Sequence, residues 1–123
     1  MFMQTINLAD KFALFDERWS PRVIAQSNGQ LIKLAKLEGE FVWHDHAKED
    51  ELFFVIKGRL ELRFRDRTTV LLPGELCVVP RAVEHLPVAT EETWVMLIEP
   101  ASTQHTGERQ TERTVALEQQ TWI

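Results

Sequence analysis

The sequence contains one cysteine, Cys77, no tyrosine and no long apolar run. A single thiol cannot close a disulfide within the chain, which fits a reducing compartment. No stretch approaches the roughly 20 apolar residues of a membrane helix, and the chain does not open with a basic stretch followed by an apolar one. These absences favour a cytoplasmic protein with no membrane partner. The lack of tyrosine also removes one common general acid from any reaction.

An excess of basic residues is missing as well. The chain carries 14 lysine and arginine residues against 19 acidic ones, a net charge of −5. Its basic residues do not cluster beyond alternating positions such as Arg63, Arg65 and Arg67. Nucleic acid is therefore not an expected partner. A length of 123 residues suffices for one domain with a buried core, and an apolar content of 44% is ordinary for a globular protein.

Alternation of apolar and polar residues dominates the chain between residues 22 and 100. Leu60, Leu62 and Phe64, for example, alternate with charged residues, as in a strand with one wet face. Asn28-Gly29 predicts a two-residue hairpin turn between two further strands. About eight short strands separated by turns are typical of a double-sheet jelly roll or a conical barrel.

The two ends of the chain differ from this central region. We expect residues 1–21 to contain a short helix that Asn7 caps and that runs to Phe15. Residues 101–123 are mostly polar, and they predict a surface tail that docks on the barrel or on a neighbouring subunit, or that is frayed. The expected organisation is a single domain whose barrel spans residues 22–100.

Four side chains of types that bind metals stand out. His44 and His46 lie two residues apart, so they share a face if the segment is extended. Glu51 directly precedes an apolar run typical of a strand, and His85 follows later in the chain. Three imidazoles and one carboxylate suit divalent iron, manganese, nickel, cobalt, copper or zinc. A His-x-His pair alone, by contrast, is common in solvated strands and loops.

Other residues compete for these roles. Glu49 and Asp50 are neighbours of Glu51 and are alternative carboxylate ligands. The position of Glu51 directly before the strand favours it, and the other two read as solvated loop charges. His105 lies in the polar tail, and we expect an exposed side chain there.

The spacing around the histidine pair resembles the first motif of the cupin superfamily. Gly39 is followed by four residues, then by His44-Asp45-His46, four residues, Glu51, six residues and Gly58. One residue fewer separates the first glycine from the first histidine than is usual in that family. The carboxylate that the family spacing selects is the same glutamate that its place before the strand favours.

A second stretch resembles the second cupin motif. Gly74 is followed by five residues, Pro80, and, after four more, His85. Two positions depart from the family pattern, because Ala82 and Ala89 stand where glycine and asparagine are usual. Neither departure touches a metal-ligand position.

The resemblance covers about residues 30–100. It implies an all-β fold, the double-stranded β-helix or jelly-roll (cupin) barrel, here with a short N-terminal helix. It also implies one divalent metal ion bound by His44, His46, Glu51 and His85. Four protein ligands on an octahedral ion leave two positions open, which suits isomerase, lyase or dioxygenase chemistry on a small polar metabolite. A non-catalytic module that binds or senses a small ligand stays open as the alternative.

The same alternation predicts which side chains line the pocket. With the metal-ligand candidates pointing inward, Val42, Phe53 and Val55 face inward as well, while Phe41 faces away. Arg81 either enters the pocket mouth, where it would hold an anionic group, or is a solvated turn residue. The sequence leaves these two possibilities equal.

Some strands are apolar on both faces. The segment Trp94–Ile98 has no polar face, and Trp43, Phe54 and Ile56 point away from the predicted pocket. A large apolar surface usually marks an interface, and most soluble oligomers are symmetric dimers. We therefore expect a homodimer, unless the N-terminal helix covers this surface within the chain.

Overall fold

The structure, a computed structural model, describes residues 3–103 and 120–123. In these ranges it contains one α-helix and eight β-strands, and no helix that could cross a bilayer is found there. The elements in chain order are α1 (Leu8–Phe12), β1 (Arg22–Ser27), β2 (Gln30–Glu40), β3 (Glu51–Lys57), β4 (Leu60–Arg63), β5 (Thr68–Leu71), β6 (Leu76–Val79), β7 (Leu86–Pro100) and β8 (Thr121–Trp122).

The strands form one sheet that is organised around β7. This strand is 15 residues long and pairs with β2 over most of its length. Its first part also pairs with β4 and its second part with β3, while β6 pairs with the free edge of β3. The strand order is β5-β4-β7-β2-β1-β8, with β3 and β6 off this path. The result is a jelly-roll β-sandwich, so the predicted fold class is confirmed.

The turn between β1 and β2 forms where the sequence predicts it. Asn28 and Gly29 have φ angles of +51° and +75°. A two-residue hairpin loop with positive φ at both positions matches the right-handed twist of its strands, and asparagine and glycine tolerate that backbone best. Antiparallel pairing of β1 and β2 follows directly from this turn.

The apolar residues divide into two clusters on opposite faces of β2 and β7. The inner cluster fills the space between the two layers of the sandwich. The inner cluster forms because every second side chain of each strand faces inward. Its buried members are Ala35, Leu37, Phe53, Val55, Leu60, Leu62, Leu71, Val79, Ala89, Val95 and Leu97.

The outer cluster holds the N-terminal segment against the sheet. Phe12 and Phe15 are buried in it, and the Phe12 ring stacks on Trp94 with the ring centroids 4.6 Å apart. Asn7 caps α1 as predicted, because its side-chain oxygen accepts a hydrogen bond from the backbone N–H of Asp10 at 2.9 Å. The helix ends at Phe12 rather than at Phe15, since Leu14 N–H bonds to the nearer carbonyl of Lys11 and closes a tighter turn.

The outer cluster covers part of the apolar surface that the sequence predicts to be exposed. Ile56, Trp94 and Met96 pack against the outer cluster, so the chain itself covers them. Leu76 and Val78 on β6 stay 55% and 49% exposed. Trp94–Ile98 is therefore not a bare face, while β6 keeps exposed apolar side chains.

The end of the chain returns to the sheet. Thr121 and Trp122 pair in parallel with Arg22 and Val23 of β1, so the described part of the tail docks on its own chain. His105 and most of the predicted polar tail lie outside the described residues.

Candidate metal centre

Backbone hydrogen bonds join the two motifs that carry the candidate ligands. The N–H of His44 donates to the carbonyl of His85 at 3.1 Å, and the N–H of His85 donates to the carbonyl of His44 at 2.9 Å. This isolated antiparallel bridge places the two ring centroids 4.3 Å apart. A short two-way backbone contact therefore sets the position of both imidazoles.

The other two candidates approach the same point. The Nε2 atoms of His46 and His85 lie 3.3 and 3.6 Å from Oε1 of Glu51. One possible ligand atom from each of the four residues lies within 4.8 Å of all the others, and all four side chains are buried. Two donors about 2.2 Å from a shared ion can be at most about 4.4 Å apart. The widest separation thus exceeds this limit by only a few tenths of an ångström, so the donors are close to the spacing that a shared ion requires.

The ring orientation of two histidines is fixed by their neighbours. The Nδ1 atoms of His44 and His85 lie 2.9 Å from the carbonyl oxygens of Val42 and Val83. A carbonyl only accepts, so Nδ1 carries the proton and Nε2 keeps its lone pair. Such a bond on the far nitrogen is the usual support of a metal-bound imidazole.

Several of these atoms lack a hydrogen-bond partner. Nε2 of His46, Nε2 of His85 and Oε1 of Glu51 are buried and make no hydrogen bond within the described part of the chain. Buried polar atoms without partners are costly and rare in folded proteins. A divalent cation would satisfy all three at once, so the donor set fits a metal ion.

The protonation states also suit a metal ion. Burial and the neighbouring His85 lower the pKa of His44 to about 4. Burial opposes ionisation of Glu51, but attraction to the His46 and His85 rings, when their Nε2 atoms carry a proton, outweighs that effect and holds the pKa of its carboxyl well below the usual range. A neutral imidazole and a carboxylate are the forms that metals bind.

Comparison with known proteins identifies the family. A family model described as a cupin domain matches residues 30–99. The chain belongs to this family. This cupin is 54% identical to a cupin-2 domain containing protein from Shewanella frigidimarina, with a TM-score of 0.77 over 78% of this chain and 94% of that one. It is 34% identical to protein NMB1881 from Neisseria meningitidis, with a TM-score of 0.73 over 79% of this chain and 99% of that one.

A curated relative is matched over a shorter region. The uncharacterized protein YdbB from Bacillus subtilis is 36% identical over 63 residues, which are 50% of this cupin and 56% of that protein. The match thus spans little more than half the length of that curated relative. None of the three names assigns a reaction.

The neighbours of Glu51 play other parts in this cupin. Asp50 accepts a hydrogen bond from the backbone N–H of Arg81 at 2.8 Å. Glu49 accepts one from the hydroxyl of Ser102 at 3.4 Å. Only Glu51 of the three acidic residues belongs to the converging group.

A small cavity of about 30 Å³ lies beside the candidate ligands. His44, Glu51 and Phe53 reach it from within the sandwich. Most of the remaining wall is apolar. It consists of Trp19, Pro21, Ala35, Leu37, Phe41, Pro87, Val95 and Leu97.

Three of the predicted lining residues lie elsewhere. Val42 is half-buried and supports His44 through its carbonyl, while Val55 is part of the inner cluster beneath the cavity. Arg81 lines a separate surface groove and lies 3.5 Å from Asp50, so it does not guard the cavity mouth. Phe53 alone of the four lines the cavity.

Phe41, which was predicted to face away, lines the cavity as well. Residues 41–50 lie outside the named strands, and His44 makes only an isolated bridge there. Successive side chains in this segment therefore do not alternate strictly between the two faces. Trp43 does point away from the cavity wall. The guanidinium of Arg65 sits 3.7 Å from the centre of its ring.

Sequence reasoning missed a charged residue behind Glu51. Glu99 on β7 is fully buried, and its carboxylate lies 2.7 Å from Nζ of Lys33 on β2, which is also buried. Burial and the neighbouring charge of Glu51 raise the pKa of Glu99 well above its usual range, although Lys33 acts in the opposite direction. The alternation of Val95, Leu97 and Glu99 along β7 was the available signal, because it places Glu99 inward.

Proposed function

We propose that this cupin binds one divalent metal ion through His44, His46, Glu51 and His85. The observation that carries the proposal is the convergence of four buried donors within 4.8 Å, three of whose atoms have no hydrogen-bond partner among the described residues. The described site includes no thiolate, so the ligand set suits iron, manganese, nickel, cobalt, copper or zinc rather than a soft-metal site.

The proposed activity is metal-dependent chemistry on a small molecule, of isomerase, lyase or dioxygenase type. A bound ion of this kind supplies Lewis-acid polarisation or activation of a coordinated ligand. The chain supplies the rest: Glu51 balances part of the charge, the backbone-held rings of His44 and His85 fix the geometry, and the apolar wall excludes water.

A second candidate function is a non-catalytic module that binds or senses a small ligand. It is favoured by the composition of the cavity wall. Apart from His44 and Glu51, the wall residues have no side chain that exchanges protons near neutral pH. An enzyme built this way would depend on the metal for nearly all of its chemistry.

Metal analysis tests the first proposal. Protein purified without chelators, or titrated with manganese, cobalt or zinc, should hold about one ion per chain. His85→Ala should remove stoichiometric metal and stay folded, because the apolar alternation of the strands carries the fold. His105→Ala is the matched control, since this histidine lies outside both motifs, and it should keep its metal.

Two results would contradict this proposal in different ways. A folded wild-type protein that binds none of these ions would exclude the metal site. An unfolded His85→Ala protein would make the ion structural and weaken the case for catalysis. Substrate screening of each metal form separates the enzyme from the binding module, because turnover must be lost on chelation.

A symmetric homodimer in the cytoplasm completes the proposal. Leu76 and Val78 lie exposed on β6, which pairs only with β3 among the described strands, and Phe54 is half-buried nearby on β3. A stable interface should bury above about 1,000 Å². Light scattering at micromolar concentration should give about twice the chain mass of 14.3 kDa, whereas the single-chain mass would exclude the dimer.

A further inference from the structure

The wall of the cavity differs in character from the ligands beside it. Pro21, Leu37 and Pro87 contribute apolar surface at its sides, and no lysine or arginine among the described residues lines it. Phosphate and carboxylate groups are normally held by such cations, because removing an anion from water without a partner is costly. The described wall therefore offers an anionic group no cationic lysine or arginine, which leaves it the proposed metal as a partner.

An aromatic pair forms the part of the wall next to His44. The rings of Trp19 and Phe41 stack with centroids 4.6 Å apart and planes 10° apart. Phe41 then meets the His44 ring edge-on at 5.5 Å and 90°. The Trp19–Phe41 pair thus places an apolar aromatic surface in contact with the proposed metal ligand His44.

The backbone of Trp19 is held in an unusual conformation to place this ring. Its φ angle is +58°, which a bulky side chain rarely adopts. Two hydrogen bonds of 2.9 Å keep it there, from its N–H to the carbonyl of Lys36 and from its Nε1 to the carbonyl of Glu38. Strain of this kind persists only where the surrounding structure fixes it, and it clusters at ligand sites.

The charges near this aromatic pair are mainly acidic. Glu38 lies on β2, and its backbone carbonyl accepts the hydrogen bond from the Trp19 indole. Arg18, which precedes Trp19, is ion-paired with Glu38 and with Glu92. An anionic ligand approaching this mouth meets unfavourable charge, while a neutral one does not.

The volume of the cavity limits what enters it. About 30 Å³ corresponds to one or two water molecules, so only a narrow end of a ligand reaches the donors. The body of a larger ligand has to remain outside the cavity, where the half-buried Trp19, stacked on the buried Phe41, offers ring surface.

We infer that this cavity selects a neutral small molecule with a flat or apolar body and a narrow end that carries oxygen donors. It discriminates against phosphorylated and carboxylated metabolites. The inference rests on the proposed metal site for the donor end and on the Trp19–Phe41 wall for the body.

A matched pair of probes tests the charge preference. Benzohydroxamic acid and 4-carboxybenzohydroxamic acid share one metal-binding head and differ by a carboxylate on the body. Titrated into zinc-loaded protein, the neutral probe should bind at least about tenfold more tightly. The carboxylate of the other probe would lose hydration on binding without gaining a partner on the wall. Equal or tighter binding of the carboxylated probe would overturn the inference.

Matched variants test the aromatic wall. Trp19→Ala should weaken benzohydroxamate binding about tenfold and leave acetohydroxamate, which lacks the ring, almost unchanged. Trp43→Ala is the control, because that tryptophan contacts Arg65 away from the cavity. If Trp19→Ala does not fold, Phe41→Leu replaces it as the wall variant. Equal effects of the wall variant and the control would refute the role of the wall.

Failure of the metal site can be told apart from failure of this inference. Benzyl alcohol and benzoate are titrated into metal-free protein, and the shift of the Trp19 indole N–H signal is followed by NMR. Benzyl alcohol should shift this signal and benzoate should not. If the protein binds no metal but keeps this preference, the proposed function fails and the inference about the cavity stands. If benzoate causes the larger shift, the inference fails whatever the metal does.

Discussion

Two buried lysines on β2 show how differently the two faces of this sandwich are built. Lys33 faces the inner side, where its ammonium lies 2.7 Å from the buried carboxylate of Glu99. Lys36, three residues on, faces the outer side, and its ammonium donates to the carbonyl of Phe15 at 2.7 Å and lies 4.9 Å from the centre of the Trp94 ring. Both side chains are almost fully buried.

The difference lies in what satisfies each charge. An acidic side chain, Glu99, lies against Lys33, and it is next to the proposed metal ligand Glu51. Lys36 is held by a carbonyl dipole and by aromatic faces, with the exposed carboxylate of Asp16 at 3.7 Å. The inner lysine thus belongs to the electrostatics of the site, whereas the outer lysine fastens the N-terminal segment. One strand serves both purposes because its side chains alternate between faces.

The largest effect should follow from removing the inner partner. Glu99→Ala leaves Lys33 buried without its acidic partner and should lower the free energy of unfolding by about 3–5 kcal/mol. Urea unfolding of metal-free protein measures this loss. The double variant Lys33→Met/Glu99→Leu should recover most of it, because an apolar pair replaces the ions. A Glu99→Ala protein as stable as the wild type would show that the pair contributes nothing.

The inner face should also respond to pH. The folded pKa of His44 is about 4, below its usual 6.5, so the folded chain binds fewer protons than the unfolded chain between these values. The contribution of His44 is complete above pH 6.5 and falls by about 3 kcal/mol as the pH drops to 4. The raised pKa of Glu99 gives the opposite slope above pH 4.5.

The His44 contribution is therefore read as a difference between proteins. The stability of metal-free wild type minus that of His44→Gln should decrease as the pH falls from 6.5 to 4, because only His44 differs. Denaturant midpoints at several pH values supply the numbers. A constant difference across this range would contradict the buried neutral imidazole.

The smallest effect should come from the outer lysine. Lys36→Met loses a buried hydrogen bond and two ring contacts but removes the cost of burying a charge, so the loss should be about 1–2 kcal/mol. Its metal affinity should be unchanged. Lys33→Met, by contrast, should weaken metal binding about tenfold or more, because it removes the partner that positions Glu99 beside Glu51. Calorimetric titration with zinc compares them, and equal metal affinities would remove the distinction between the two faces.

Sequence patterns predicted the parts of this protein that local chemistry determines. The turn at Asn28 and Gly29 follows from backbone preference, and the cap at Asn7 follows from side-chain chemistry. The convergence of His44, His46, Glu51 and His85 was expected from motif spacing, and the structure brings these four together.

The parts that were missed depend on contacts between distant segments. Glu99 reaches Glu51 only because β7 pairs with β3, and the sequence of neither strand alone predicts the register of that pairing. The place of Trp19 in the cavity wall depends on hydrogen bonds to β2. Alternation failed for Phe41 because the residues around it are not in a regular strand.

The two-way backbone bridge between His44 and His85 has a consequence for how the chain acquires its proposed ion. The two histidines are far apart in sequence and become neighbours only when the sandwich has closed, so His85 joins the three donors of residues 44–51 only in the folded chain. An ion that binds the folded chain alone shifts the folding equilibrium by mass action, by about 2.7 kcal/mol when its free concentration is 100 times the dissociation constant. The amide protons of His44 and His85 lie inside that bridge. Their exchange with solvent therefore reports how often the centre opens.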